Sequence, residues 1–236
     1  MNCHVLVLLS LLFGAGCWSQ PQYQVINLAF DDSGNPFACR VVIPKDLPEN
    51  APLVIAYHGI GDTSESMARY SQLDELAARH QFLLVYPDAE GKLWNVPRSG
   101  VSGNNISKDI ERFDLILQEV DRQYSIDVKR VYVVGMSHGA TFVYWLISQR
   151  SAKIAAAVAH SGAPTSETNL GEGPTPVLLI VGQEDPVQEA MRVTAQEYET
   201  VGNPNEFILV PGLGHEWFAS HNEAIWSFLS KTGKEH

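Results

Sequence analysis

The sequence is poor in cysteine, in charge and in basic clusters. It holds three cysteines in 236 residues, and Cys3 and Cys17 both fall within the first nineteen positions. No internal disulfide framework can therefore support the rest of the chain. Cys39 lies in an apolar run and is expected to be a buried free thiol. Charged residues make up only 18% of the chain and hydrophobic ones 45%, which excludes a disordered polymer and provides for a sizeable core. The formal net charge is -11 with no basic cluster to offset it, so neither nucleic acid nor an anionic membrane is an expected partner. No apolar run reaches the roughly 20 residues needed to span a bilayer. Internal repeats, low-complexity tracts and interdomain linkers are missing too, and the length suits one domain. Histidines and carboxylates are not clustered at metal-ligand spacing, so neither a metal nor an organic cofactor is implied.

The beginning of the chain differs from the remainder. Residues 5–13 (VLVLLSLLF) form a short apolar run, followed by Gly14, Ala15 and Gly16, and nothing charged precedes Asp31. This predicts a cleaved signal peptide over 1–19 and a secreted or periplasmic catalytic domain over 20–236, although a basic n-region is missing. Gly14-Ala15-Gly16-Cys17 also resembles a lipoprotein cleavage box with Gly14 where Leu is usual. Only lipidation of Cys17 would bring a membrane partner.

Beyond the leader, short apolar runs alternate with amphipathic ones. Residues 22–30 and 37–44 are expected to be strands joined by the turn-forming Asp31–Asn35. The runs at 53–58, 82–86, 130–134, 154–159, 177–181 and 206–210 are nearly continuously apolar, as strands buried on both faces of a parallel sheet are. Ile106, Ile110, Phe113, Leu117, Val120 and Tyr124 follow helical spacing, with Asn104 or Asn105 as the cap. Val187–Val201, 64–80 and 217–230 are further helices. The expected architecture is α/β: a mainly parallel, doubly wound sheet of about eight strands, opened by an antiparallel hairpin and without a cap domain.

Gly135-Met136-Ser137-His138-Gly139 is a G-x-S-x-G pattern. It is directly preceded by the apolar strand Arg130–Val134 and followed by a helical run, Ala140–Gln149, the strand–turn–helix setting in which a serine is held exposed above a sheet edge. A serine hydroxyl is a poor nucleophile until a base removes its proton, and the base needs an orienting acid. In this setting the order is Ser, acid, His. Asp185, in Gly182-Gln183-Glu184-Asp185-Pro186 after an apolar strand, is the expected acid, with Glu184 its rival. Of the eight histidines, His58, His138 and His160 precede the acid, and His4, His80, His221 and His236 lie in the leader, on helices or at the terminus. His215 is left, in a loop with Gly212 and Gly214 after the last strand. The expected oxyanion donors are the backbone N–H groups of His138 and Ile60, with Gly61 the fallback for Ile60. His58 is expected to tie the loop down.

Several segments resemble the secreted feruloyl esterase and polyhydroxybutyrate depolymerase branch of the α/β hydrolases. They are Tyr57-His58-Gly59, Tyr86-Pro87-Asp88, Leu93-Trp94-Asn95, the helix from Asp109, Asp127–Tyr132, the Ser137 motif, Gly182–Val187 and Gly214–Trp217. The resemblance spans about residues 37–230 and implies Ser137, Asp185 and His215 as nucleophile, acid and base. His138 stands where members often carry Asn, and Val96–Ser99 stands where many carry a cysteine pair. Resemblance implies hydrolysis of aryl or sugar esters of plant cell-wall polymers, or of short polyesters. A prolyl-oligopeptidase-type peptidase and a non-catalytic surface protein on the same fold are the alternatives. The inserts 88–104 and 163–175 are available to shape a pocket. Trp94 and Trp217 are the candidate substrate-stacking aromatics, with core packing the alternative for Trp94.

Overall fold

A computed structural model describes residues 22–32, 35–97, 106–171 and 174–232. The leader with Cys3 and Cys17, Arg98, and the helix caps expected at Asn104 or Asn105 lie outside them. Strands β1 (Tyr23–Asp32) and β2 (Asn35–Pro44) form an antiparallel hairpin in which Tyr23 faces Pro44 and Phe30 stacks on Phe37 at 4.7 Å. β2 continues antiparallel onto β4 (Leu83–Pro87). The remaining strands, β3 (Leu53–Tyr57), β5 (Val131–Met136), β6 (Ala156–His160), β7 (Val177–Gly182) and β8 (Asn205–Val210), run parallel. Among the described residues they make one eight-stranded sheet ordered β1-β2-β4-β3-β5-β6-β7-β8. This is the architecture expected from the alternation of apolar runs.

The continuous apolar strands feed two cores. In β3, Leu53, Ile55 and Tyr57 enter one, while Val54 and Ala56 enter the other, because successive side chains of a strand point to opposite faces. Helices α3 (Lys108–Tyr124), α4 (His138–Arg150) and α5 (Gln188–Thr200) cover the first face. Helices α1 (Ser64–Ser71), α2 (Leu73–His80) and α6 (Asn222–Ser230) cover the second. No helix of the described residues is long and apolar enough to cross a membrane.

Two expected helices are shorter than their periodicity. The run at 64–80 breaks at Gln72, which is left-handed at φ 55° and closes α1 by donating to the Ala68 carbonyl. The break re-aims α2 so that Asp74 is paired twice by Arg40 of β2, at 2.6 and 3.1 Å, and accepts from Tyr86 Oη at 2.8 Å. The run at 217–230 becomes regular only at Asn222, because Trp217 and Phe218 are drawn into the core beside β6 and a 3₁₀ turn, Ala219–His221, follows. Cys39 is fully buried, and burial pushes its thiol up and out of the reactive range.

Candidate active site

The chain leaves β3 to build β4 on one side and β5 on the other, so the sheet's switch point opens a crevice at the ends of β3 and β5. Ser137 follows β5 there, at φ 54° and ψ -118°, a backbone conformation that costs a non-glycine residue about 1–3 kcal/mol. Crowding around the serine explains the flanking glycines. A Cβ on Gly135 would sit 2.3 Å from the Gly139 carbonyl oxygen, and one on Gly139 would sit 2.1 Å from that of Tyr57. The Ser137 N–H donates to the His160 carbonyl at 2.8 Å.

His215 comes from the loop between β8 and α6. That loop lies directly on Gly182: a Cβ there would meet the Leu213 carbonyl oxygen at 2.2 Å. His215 Nε2 stands 2.9 Å from Ser137 Oγ, and Nδ1 stands 3.0 and 3.1 Å from the two Asp185 oxygens. An ionised carboxylate only accepts, so the Nδ1–H donates to Asp185 and Nε2 is left to accept the serine proton. The Asp185 side chain is completely buried while His215 is 41% exposed. Asp185 also accepts the Val187 N–H at 3.0 Å. Glu184, the neighbouring acid, is exposed and contributes its N–H to the Leu213 carbonyl at 2.9 Å.

The loop after β3, where the oxyanion donor Ile60 is expected, lines the same cleft as Ser137. The Gly61 N–H is committed to the Lys92 carbonyl at 3.0 Å, whereas the Ile60 N–H makes no hydrogen bond among the described residues. His138 opens α4, where helix N–H groups favour negative charge. His58 is buried, with Nδ1–H donating to the Gly59 carbonyl at 2.7 Å and Nε2 accepting the Ala89 N–H at 3.1 Å. Burial lowers its pKa and keeps it neutral.

Trp94 takes the packing alternative rather than the substrate-stacking one. It is 3% exposed, its indole N–H donates to the His58 carbonyl at 2.8 Å, and its ring packs on Tyr57 and Phe142 at 5.1 and 5.3 Å. The next residue, Asn95, ties the same loop to the buried Asp109 through its backbone N–H at 2.7 Å and its amide at 2.9 Å.

A cleft of about 450 Å³ opens over Ser137 and His215, lined also by Gly59, Ile60, Asp62, Tyr70, Met136, Glu216 and Trp217. Its size suits a small ligand or one unit of a polymer. Among the described residues neither the 88–97 nor the 163–171 segment lines it. Asp62, Tyr70, Met136 and Glu216 were not singled out from sequence. Position is the available signal, since Asp62 is in the loop after β3 and Glu216 directly follows His215. Burial, reinforced by the Asp62 carboxylate, pushes the Tyr70 phenol up. Trp217 lies in the wall, stacked on His160 at 4.6 Å, with its indole N–H on Asn222 Oδ1 at 3.0 Å.

Comparison with known proteins agrees with this architecture. A model of the phospholipase/carboxylesterase family matches residues 37–233. A bifunctional acetylxylan esterase/xylanase of Neocallimastix patriciarum is 26% identical over 81% of the chain, which covers 33% of that protein. Acetylxylan esterase A of Aspergillus oryzae is 26% identical over 57% of the chain and 45% of its own length. The chain thus spans between a third and a half of the length of these curated relatives. Among solved structures, a ferulic acid esterase of Anaeromyces mucronatus superposes with TM-score 0.69 at 18% identity, over 91% of this chain and 92% of that one. An S-formylglutathione hydrolase of Agrobacterium tumefaciens gives TM-score 0.72 at 11% identity, over 89% and 95%. These two share the fold.

Proposed function

The chain belongs to the phospholipase/carboxylesterase family, and from that premise we propose a serine carboxylic-ester hydrolase that works through an acyl-enzyme on Ser137. The observation that carries this reading is the unbroken relay from Ser137 Oγ to His215 Nε2 at 2.9 Å and from His215 Nδ1 to Asp185 at 3.0 Å. His215 takes the serine proton as Oγ attacks the ester carbonyl, and Asp185 holds the ring in the productive tautomer and balances the imidazolium. The tetrahedral oxyanion is received by the Ile60 and His138 N–H groups, each such donor being worth about 2.7–4 kcal/mol in the transition state. His215 returns the proton to the leaving alcohol. Water then attacks the acyl-enzyme with His215 again as base, which regenerates Ser137.

The cleft and the relatives support a substrate class. Ile60, Met136 and Trp217 give an apolar wall, while Tyr70, Asp62 and Glu216 give hydroxyl and carboxylate groups able to accept from sugar hydroxyls. Relatives named as acetylxylan esterases support esters on a carbohydrate. Aryl or sugar esters of plant cell-wall polymers are therefore the proposed substrates, with short polyesters next. The test is a panel of nitrophenyl esters, acetylated xylan, feruloyl esters, short polyesters and aminoacyl nitroanilides, run beside fluorophosphonate labelling. Ester turnover with a label on Ser137 is the expected result. Cleavage confined to the nitroanilides would replace the esterase mechanism with a peptidase one, and failure of both turnover and labelling would remove the catalytic reading.

A further inference from the structure

In the sheet β5 is flanked by β3 and β6, and each neighbour leads into a fully buried histidine: His58 just after β3, and His160 as the last residue of β6. His160 has no part in the relay, yet it touches both sides of it. Its carbonyl accepts the Ser137 N–H at 2.8 Å. Its Nε2 accepts the Phe218 N–H at 3.3 Å, which places the ring proton on Nδ1, 3.2 Å from Ser161 Oγ. The ring stacks on Trp217 at 4.6 Å and 19° and lies 4.7 Å from the Phe218 ring.

The loop that carries His215 needs such an anchor. It contains Gly212 and Gly214, and on its β8 side the Leu213 carbonyl is held by the Glu184 N–H at 2.9 Å. On its α6 side the Phe218 N–H is held by His160, beside the Trp217 indole on Asn222 and the Phe218 carbonyl on the His221 N–H. We propose that His160 is a positioning residue for ester hydrolysis, fixing the 211–218 loop so that His215 Nε2 stays within reach of Ser137 Oγ. This rests on the reading of Ser137, His215 and Asp185 as the catalytic relay. Phe218 is 3% exposed, so removing its acceptor leaves a buried N–H unsatisfied and drives the loop toward water. A shift of about 1 Å at the base is enough to slow a reaction by up to about 100-fold. Trp217 is held separately by Asn222, whose amide donates to the Ser71 carbonyl at 2.8 Å. That bond keeps Trp217 in the cleft wall in all three variants; its stack on His160 is kept by Phe and lost by Asn and Gln alike, so the part of the loss that Gln recovers falls on kcat rather than on KM.

The test compares His160→Phe, His160→Asn and His160→Gln in the full chain with p-nitrophenyl acetate, kcat being expressed per fluorophosphonate-titrated site. Phenylalanine keeps the stack but offers no acceptor, the Asn side chain is too short to reach the Phe218 N–H, and the Gln side chain carbonyl reaches it. Phe and Asn should lose roughly 10- to 100-fold in kcat with KM within about twofold, and Gln should recover most of that. Amide exchange over residues 211–221 should accelerate in the Phe and Asn variants, a readout that needs no activity. If the Phe variant does not accumulate, the contrast between Gln and Asn makes the same decision. Equal kcat for Gln and Asn, or unchanged exchange over 211–221, overturns the proposal. An inactive wild-type enzyme whose variants still exchange faster would retain the anchor and remove its catalytic role, which separates this failure from that of the relay itself.

Discussion

Acidification should weaken the fold in a way that can be assigned to one buried imidazole. Burial pushes His160 down to about 3; the His221 and His215 rings also oppose its charge, and the Asp185 carboxylate favours it without prevailing. An unfolded histidine titrates near 6.5, so between those values the unfolded chain binds the extra proton and stability rises with pH. The contribution is complete above about pH 6.5, declines as pH falls and is exhausted as pH passes through the folded value. Between pH 7 and pH 4.5 it amounts to roughly 2–3 kcal/mol, or a urea midpoint shift on the order of 1 M. Stopping at about pH 4.5 keeps out the paired carboxylates Asp114 and Asp127, which are held low by Arg150 and Lys153 and by Arg130. His58 is lowered as well, but it contributes to wild type and variant alike and cancels in their difference. Urea titrations followed by circular dichroism at several pH values should therefore give a shallower dependence for His160→Phe than for wild type. Parallel dependences would refute the claim that His160 is buried neutral.

Asp185→Asn should lower kcat by about four orders of magnitude by stabilising the wrong His215 tautomer, while Glu184→Gln stays near wild type; steady-state kinetics on both decides which carboxylate serves the base. Trp94→Ala should destabilise the fold by about 3–5 kcal/mol, although the residue is absent from the cleft wall, and thermal or urea unfolding measures it. Gly182→Ala should reduce kcat in a protein that still folds, because its new methyl displaces the Leu213 carbonyl 2.2 Å away and with it the base loop; wild-type kcat in that variant would contradict the close packing described.

The elements were legible because their burial is two-sided. Leu53–Tyr57 and Val177–Gly182 are apolar at every position but the last glycine, and both are interior parallel strands. The Ser137 turn was legible because crowding leaves glycine as the fit at 135 and 139. What resisted reading from sequence depends on geometry that composition does not encode. Gln72 carries no local signal for φ 55°; the break goes with a long-range pairing of Asp74 with Arg40. Trp94 in an insert reads equally as cleft or core, and a hydrogen bond to the His58 carbonyl places it in the core. Asp185 and Glu184 differ by one residue, and the turn after Gly182 determines which one is buried against His215. Asp62, Tyr70 and Glu216 reach one cleft from separate segments with no shared pattern.

The sheet order also accounts for why His160 and His215 are placed for the different ends proposed for them. Ser137 extends β5 and Asp185 follows β7, with β6 between them. Two inter-strand spacings amount to about 9.5 Å, too far for a serine and a carboxylate to meet directly. An imidazole with one hydrogen bond at each edge spans such a gap only if it lies above the strand ends. His160 belongs to β6 itself and is fully buried beneath that level, so it cannot bridge the pair. His215 arrives from the loop after β8, beyond the outer strand, and reaches back over β7 to the serine. The proposed base, carried that far on a glycine-containing loop, has little intrinsic rigidity. On the proposed reading, His160 on the intervening strand supplies what His215 lacks, an attachment to the same strand ends that carry Ser137.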